Sequence, residues 1–71
     1  MIPKGTKVKW EESDTTYEGM VQESYPEKVE LTLEGDHITR HGSPRDQALF
    51  IELNDGSKTI RLESEVNKIS R

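Results

Sequence analysis

The sequence predicts a small all-β barrel, and three patterns carry that prediction. Lys4-Gly5-Thr6-Lys7-Val8-Lys9-Trp10 reads as a glycine turn feeding a strand, with Val8 and Trp10 facing a core and Lys7 and Lys9 facing water. Tyr17-Glu18-Gly19-Met20-Val21 reads as a second strand, whose glycine marks a place where another backbone comes close. Ala48 to Leu53 and Lys58 to Leu62, joined by Asn54-Asp55-Gly56-Ser57, read as a hairpin.

Asp55-Gly56 at the centre of a two-residue turn predicts a type I′ hairpin, because both positions then take positive φ. That turn sets Leu53 opposite Lys58, Ile51 opposite Ile60 and Leu49 opposite Leu62, with Phe50 on the other face from Ile51. Val29, Leu31 and Leu33 alternate with Glu30, Thr32 and Glu34 as a half-buried strand does. Gly35-Asp36 as a tight turn then sets Leu33 against Ile38 and Thr32 against Thr39, with a return strand over His37 to Arg40. Tyr25-Pro26-Glu27-Lys28 joins the second and third strands. Glu11 to Thr15 reads as a polar loop, and His41 to Gln47, with its Gly and Pro, as a longer one. Leu62, Val66 and Ile69 stand at i, i+4 and i+7, which predicts a helical turn over Ser64 to Lys68.

Seventy-one residues make one domain, 1–71, with a thin core: Ile, Leu, Val and Phe together number 15. Without cysteine, neither a disulfide nor a thiolate metal site adds stability. The longest apolar stretch, Ala48 to Ile51, is far too short for a membrane span, and no leader is recognisable; a cytoplasmic protein is the expectation. The net charge of −4 is uneven, with residues 1–36 carrying four lysines against nine acids and residues 37–71 six basic against five acidic groups. Such a balance disfavours nucleic acid, whose binders present a basic face. Arg40, His41, Arg45 and Arg61 are the residues that folding could gather into one.

Placed in order, these residues resemble the family of the hypervirulence-associated protein Tudor domain. The resemblance rests on Gly5-x-x-Val8-x-Trp10, Gly19-x-Val21-x-Glu23 and Gly35-x-x-Ile38-x-Arg40. It continues with Ser43, Asp46-x-Ala48-x-x-Ile51-Glu52, Asp55-Gly56 and Ser64-Glu65. Gln47 stands where a proline is common in that family, and Leu49 where a tyrosine is common. The resemblance implies an SH3-like, Tudor-type barrel of about five short antiparallel strands. It carries over no catalytic or binding residue, and a fold of this kind hosts peptide binders, RNA binders and structural modules alike.

Catalytic chemistry finds no support in the motifs. His37 and His41 share a strand face about 13 Å apart, too far for one ion, and Asp36 is explained as a turn residue. No nucleophile motif and no phosphate-binding glycine loop is present, and a chain this small has little room for a pocket of ~300 Å³. The expectation is therefore a non-catalytic interaction module without cofactor or metal, whose partner is a protein or peptide.

Six residues are the candidates for binding: Trp10, Tyr17, Met20, Phe50, Arg40 and Arg45. Trp10 and Tyr17 flank the acidic run Glu11, Glu12, Asp14 and Glu18. With Tyr25 and Phe50 they supply aromatic faces for a methylated-cation cage, but Trp10 shares parity with Val8 and Tyr17 with Val21, and a barrel this poor in apolar residues needs its aromatics for the core. Met20 and Phe50, each on the outward parity of its strand, would make an apolar patch for a protein partner or a second copy. Arg40 and Arg45 would contact nucleic acid, the alternative partner.

Overall fold

The computed structural model describes residues 2–33 and 35–69. Seven strands form: β1 Lys7–Glu12, β2 Thr15–Tyr25, β3 Lys28–Leu33, β4 Asp36–His41, β5 Ala48–Leu53, β6 Lys58–Leu62 and β7 Asn67–Lys68. They make two antiparallel sheets, one of five strands in the order β6-β5-β2-β1-β7 and one formed by the β3–β4 hairpin. The fold is all-β as expected, with two strands more than foreseen, and the pairing of the larger sheet does not close into a ring.

The first hairpin is longer than the sequence suggests. Its ladder runs from Lys7 opposite Met20 to Glu12 opposite Thr15, so the expected Glu11–Thr15 loop shrinks to Ser13 and Asp14. These two residues take φ 51° and 65°, the signature of a type I′ turn. β2 then lies between β1 and β5 and carries a bulge between Val21 and Glu23. Beyond β1, Val21 exchanges backbone bonds with the entry segment, its N–H donating to the Thr6 carbonyl at 2.9 Å and its carbonyl accepting from Gly5 N–H at 2.8 Å.

The late hairpin forms, but its register differs by one residue. Phe50 pairs with Ile60, Ile51 with Thr59, Leu49 with Arg61 and Ala48 with Leu62. The turn explains the shift. Gly56 N–H donates to the Leu53 carbonyl at 3.0 Å and Leu53 N–H to the Ser57 carbonyl at 2.8 Å. Gly56 alone has positive φ, at 91°. This is a three-residue connection with glycine as the left-handed bulge residue, in place of the two-residue turn. Ile51 and Ile60 consequently point to opposite faces of the ribbon, correcting the expected pair. Both are nonetheless fully buried.

The β3–β4 register moves by two residues, which preserves the facing: Leu31 lies opposite Ile38 and Leu33 opposite Asp36. Asp36 pairs within β4 and Gly35 before it has φ 86°; residue 34 lies outside the described residues. At the C-terminus the helical turn is replaced by a 3-10 turn, Glu63–Glu65, followed by β7, which pairs with β1 through Val8 opposite Lys68 and Lys9 opposite Asn67. Val66 is buried in the main cluster, whereas Leu62 and Ile69 are half-buried, Leu62 opposite Ala48 on the other face of the ribbon, so the three do not share the one face that a helix would give them.

Val8, Trp10, Val21, Leu49 and Ile51 form one apolar cluster, closed by Ile2 and Val66 and flanked by Leu53. Ala48 and Ile60 are fully buried outside that cluster, on the other face of β5 and β6, and β4 packs beside β6. Gly19 carries the close approach expected of it. A Cβ there would stand 2.7 Å from the Glu52 carbonyl oxygen and 2.5 Å from Ile51 Cγ2.

Two outcomes follow. Gly19→Ala must force β2 from β5 against backbone, and is expected to lower stability by about 2 kcal/mol in a urea melt. In the β5–β6 turn, Asp55 accepts from the Ser57 hydroxyl at 2.6 Å and the Ser57 amide at 2.9 Å. These bonds, the hydroxyl's first, hold its carboxyl below the usual aspartate range. A depressed carboxyl stabilises the fold above its unfolded-state pKa, and that contribution is lost as pH falls through the folded value. NMR titration is expected to show Asp55 titrating low, and Ser57→Ala to move it back toward the ordinary range.

Candidate functional site

Trp10 and Tyr17 face each other across the β1–β2 ladder. Their rings stack with centroids 6.0 Å apart and planes 20° from parallel. Arg61 completes the group from β6, its Cζ 5.8 Å from the centroid of the indole, within cation–π range. It arrives there because its partner in the ladder is the inward-facing Leu49. The Glu12 carboxylate, at the far end of β1, accepts from Arg61 Nη2. A cleft of about 200 Å³ opens over this cluster, walled further by Ser57, Lys58 and Thr59 of the second hairpin.

Burial in the cluster is unequal. Trp10 is 4% exposed. The Arg61 side chain retains 20% of its surface and that of Glu12 53%. Trp10 Nε1 and Arg61 Nε are both buried with no hydrogen-bond partner among the described residues. Buried donors left unmade are costly, so the arrangement holds spare donor capacity at one spot.

The remaining candidates lie elsewhere. Met20, 39% exposed, lies on the opposite face of β2 from Tyr17. There it borders an open groove of about 300 Å³ with Glu18, Glu52, Leu53 and Ile69, a volume the chain length does not foretell. Phe50 shares that sheet face but is half-buried opposite Ile60. Tyr25, at the end of β2, is half-buried. Arg40 is half-buried, with Nη1 donating to the Thr39 carbonyl at 2.9 Å, and Arg45 is exposed in the Ser43–Asp46 turn. Sequence reading had Arg61 in a basic spot and Glu12 in an acidic loop. The register shift that turns Arg61 inward is what unites them.

The other acidic and hydroxyl side chains near the C-terminal half hold the chain together. Asp46 accepts from Ser64 N–H and Ser64 Oγ, each at 2.8 Å. Glu63 accepts from Ile2 N–H at 2.6 Å and from Gln47 N–H at 3.1 Å, the latter a donor that proline would lack. Glu65 accepts from Leu62 N–H at 2.8 Å, and Ser43 Oγ from Asp46 N–H at 3.1 Å. His37 stands 3.2 Å from Glu30, which also meets Lys28 at 3.1 Å. The Lys28 hydrogen bond first, then that of His37, lowers the Glu30 pKa. Among the described residues no three His, Asp or Glu converge as metal ligands would, and no helix is long and apolar enough to cross a membrane.

Two antiparallel β-sheets make this an all-β domain, and a family model places it among Tudor-type domains, a class that is generally a non-catalytic binding fold. The chain belongs to the hypervirulence associated proteins TUDOR domain family, whose model matches residues 5–66. Neither a curated protein nor a solved structure matches it. Of the residues on which the sequence resemblance rests, Val8, Trp10, Val21 and Ile51 lie in the core, Gly19 is a close approach, and Asp46 and Ser64 are joined by two hydrogen bonds. Asp46→Ala, which removes both bonds to Ser64, is expected to cost about 1–2 kcal/mol by thermal melt, as loss of a helix cap does.

Proposed function

We propose that this chain is a non-catalytic interaction module, its two sheets acting as the halves of an SH3-like barrel, and that its partner is a protein or peptide. The observation that carries this reading is where the polar chemistry goes. Asp46, Glu63, Ser64 and Glu65 are engaged by backbone amides and one another. The clefts at Trp10 and at Met20 bring Trp10, Tyr17, Met20, Leu53 and Ile69 together with polar and charged side chains, among them the Arg61–Glu12 and Lys58–Glu52 pairs. Family membership supports the same reading.

A methylated-cation reader is the second reading, favoured by the Trp10–Tyr17 stack beside acidic residues. Arg61 weighs against it, because the chain's own guanidinium already sits where such a ligand would. Nucleic acid fits less well, given the net charge of −4.

The test is NMR shift mapping on the labelled chain with a partner captured from its native cell, alongside a trimethyllysine peptide and a single-stranded oligonucleotide. Shifts confined to the clefts with the captured protein, and none with the other two, are expected. Binding only to the oligonucleotide, falling steeply with salt, would overturn the proposal.

A further inference from the structure

The Arg61–Glu12 pair is asymmetric, and the asymmetry tells which charge an incoming group would carry. Arg61 is the fixed member: it is largely buried, held against the indole and set in mid-strand with Leu49 opposite. Glu12 is the movable member, half-exposed at the last pair of the ladder before the Ser13–Asp14 turn. An ion pair so exposed on one side holds weakly. A guanidinium has five N–H donors, and the one side-chain partner described for Arg61 is Glu12, through Nη2. Its Nε and the neighbouring Trp10 Nε1 are buried donors without acceptors. Those two nitrogens have no open surface, so the donors an incoming carboxylate would meet are at the Nη end of the guanidinium, which Glu12 now holds and whose planar fork matches a carboxylate in two-point geometry.

Size and charge narrow the ligand. A cleft of about 200 Å³ is below the range of metabolite pockets and suits a single side chain. The acidic balance of the chain, with Glu11 and Asp14 in the same hairpin, repels a polyphosphate far more than one carboxylate.

We propose that the Trp10–Arg61 cleft is a docking site for an acidic side chain of a partner peptide, with Glu12 as the internal stand-in that the incoming carboxylate displaces. This rests on the reading of the chain as an interaction module and names the chemistry one of its clefts would recognise.

The chain has one tryptophan, whose ring borders this cleft and also a second one of about 190 Å³ with Lys9, Glu11 and Asn67, so an indole N–H shift is assigned to this cleft only when the Arg61 variant weakens or abolishes it. The probes are acetyl-Gly-Glu-Glu-Gly-amide, its Gln counterpart and a single-stranded oligonucleotide. The Glu peptide is expected to shift the indole resonance and the Gln peptide to leave it unmoved. Glu12→Gln should raise affinity about three- to five-fold by removing the competitor. Glu11→Gln makes the same charge change on the other face of β1 and should alter affinity less than about two-fold. Arg61→Lys keeps the charge, loses the fork and should weaken binding about ten-fold; Glu12→Gln should give no gain in that background. Equal binding of the Gln peptide, equal effects of Glu11→Gln and Glu12→Gln, or an indole shift with the oligonucleotide only would each overturn the site. A captured partner that shifts the Met20 groove and leaves the indole unmoved would overturn it too, while leaving the interaction-module reading in place.

Discussion

The stacking of Arg61 on Trp10 depends on one glycine in a left-handed conformation. With Gly56 as the single positive-φ residue of its turn, the connection between β5 and β6 holds one residue more than a two-residue hairpin. Every side chain of β6 is thereby turned over relative to β5. Arg61 falls beside Leu49 on the face of the main cluster, and Ile60 falls beside Phe50 on the other. Had the turn been tighter, Arg61 would fall on the other face, opposite Phe50, and the indole would be covered by something else. A backbone dihedral at the tip of one hairpin thus decides the chemistry of a site built mainly on another.

The register could not be read from apolar alternation because β5 and β6 are buried on both faces. In the expected register Ile51 meets Ile60 and Leu49 meets Leu62; in the observed one Phe50 meets Ile60 and Ala48 meets Leu62. Both are apolar on both sides, so the usual penalty that fixes a register is absent. Asn-Asp-Gly-Ser likewise suits both turns, since each sets the glycine at positive φ. By contrast, the inward places of Val8, Trp10 and Val21 and the crowding at Gly19 were legible, because β1 and β2 alternate cleanly against water. Ser13–Asp14 gave no glycine to mark its turn. Leu62, Val66 and Ile69 mimic a helix by spacing alone: Leu62 pairs with Ala48 on the other face of the β5–β6 ribbon, Val66 closes the main cluster and Ile69 borders the Met20 groove. Arg61 and Glu12 were visible as residues but not as neighbours; their meeting spans 49 positions.

Two sets of polar residues do different work in this fold. Ser43, Asp46, Glu63 and Glu65 answer backbone amides in and around the Ser43–Asp46 turn and the 3-10 turn, and their spacing follows those turns. Glu12 and Arg61 beside the indole answer each other across two hairpins, so no local turn geometry dictates their spacing.

A core this small also couples site and stability. Trp10 belongs at once to the apolar cluster and to the cleft, and the face it shows to Arg61 is part of what keeps it only 4% exposed. Withdrawing the guanidinium would expose indole surface, at roughly 25 cal/mol for each Å². A group that took hold of Arg61 in place would leave that cover intact, whereas one that needed the ring itself would first have to uncover it. The same coupling means that an occupant fitting the guanidinium adds to the stability of the folded state by mass action. In a chain with so little apolar surface to bury, the residue best able to report a ligand is also the one the fold can least do without.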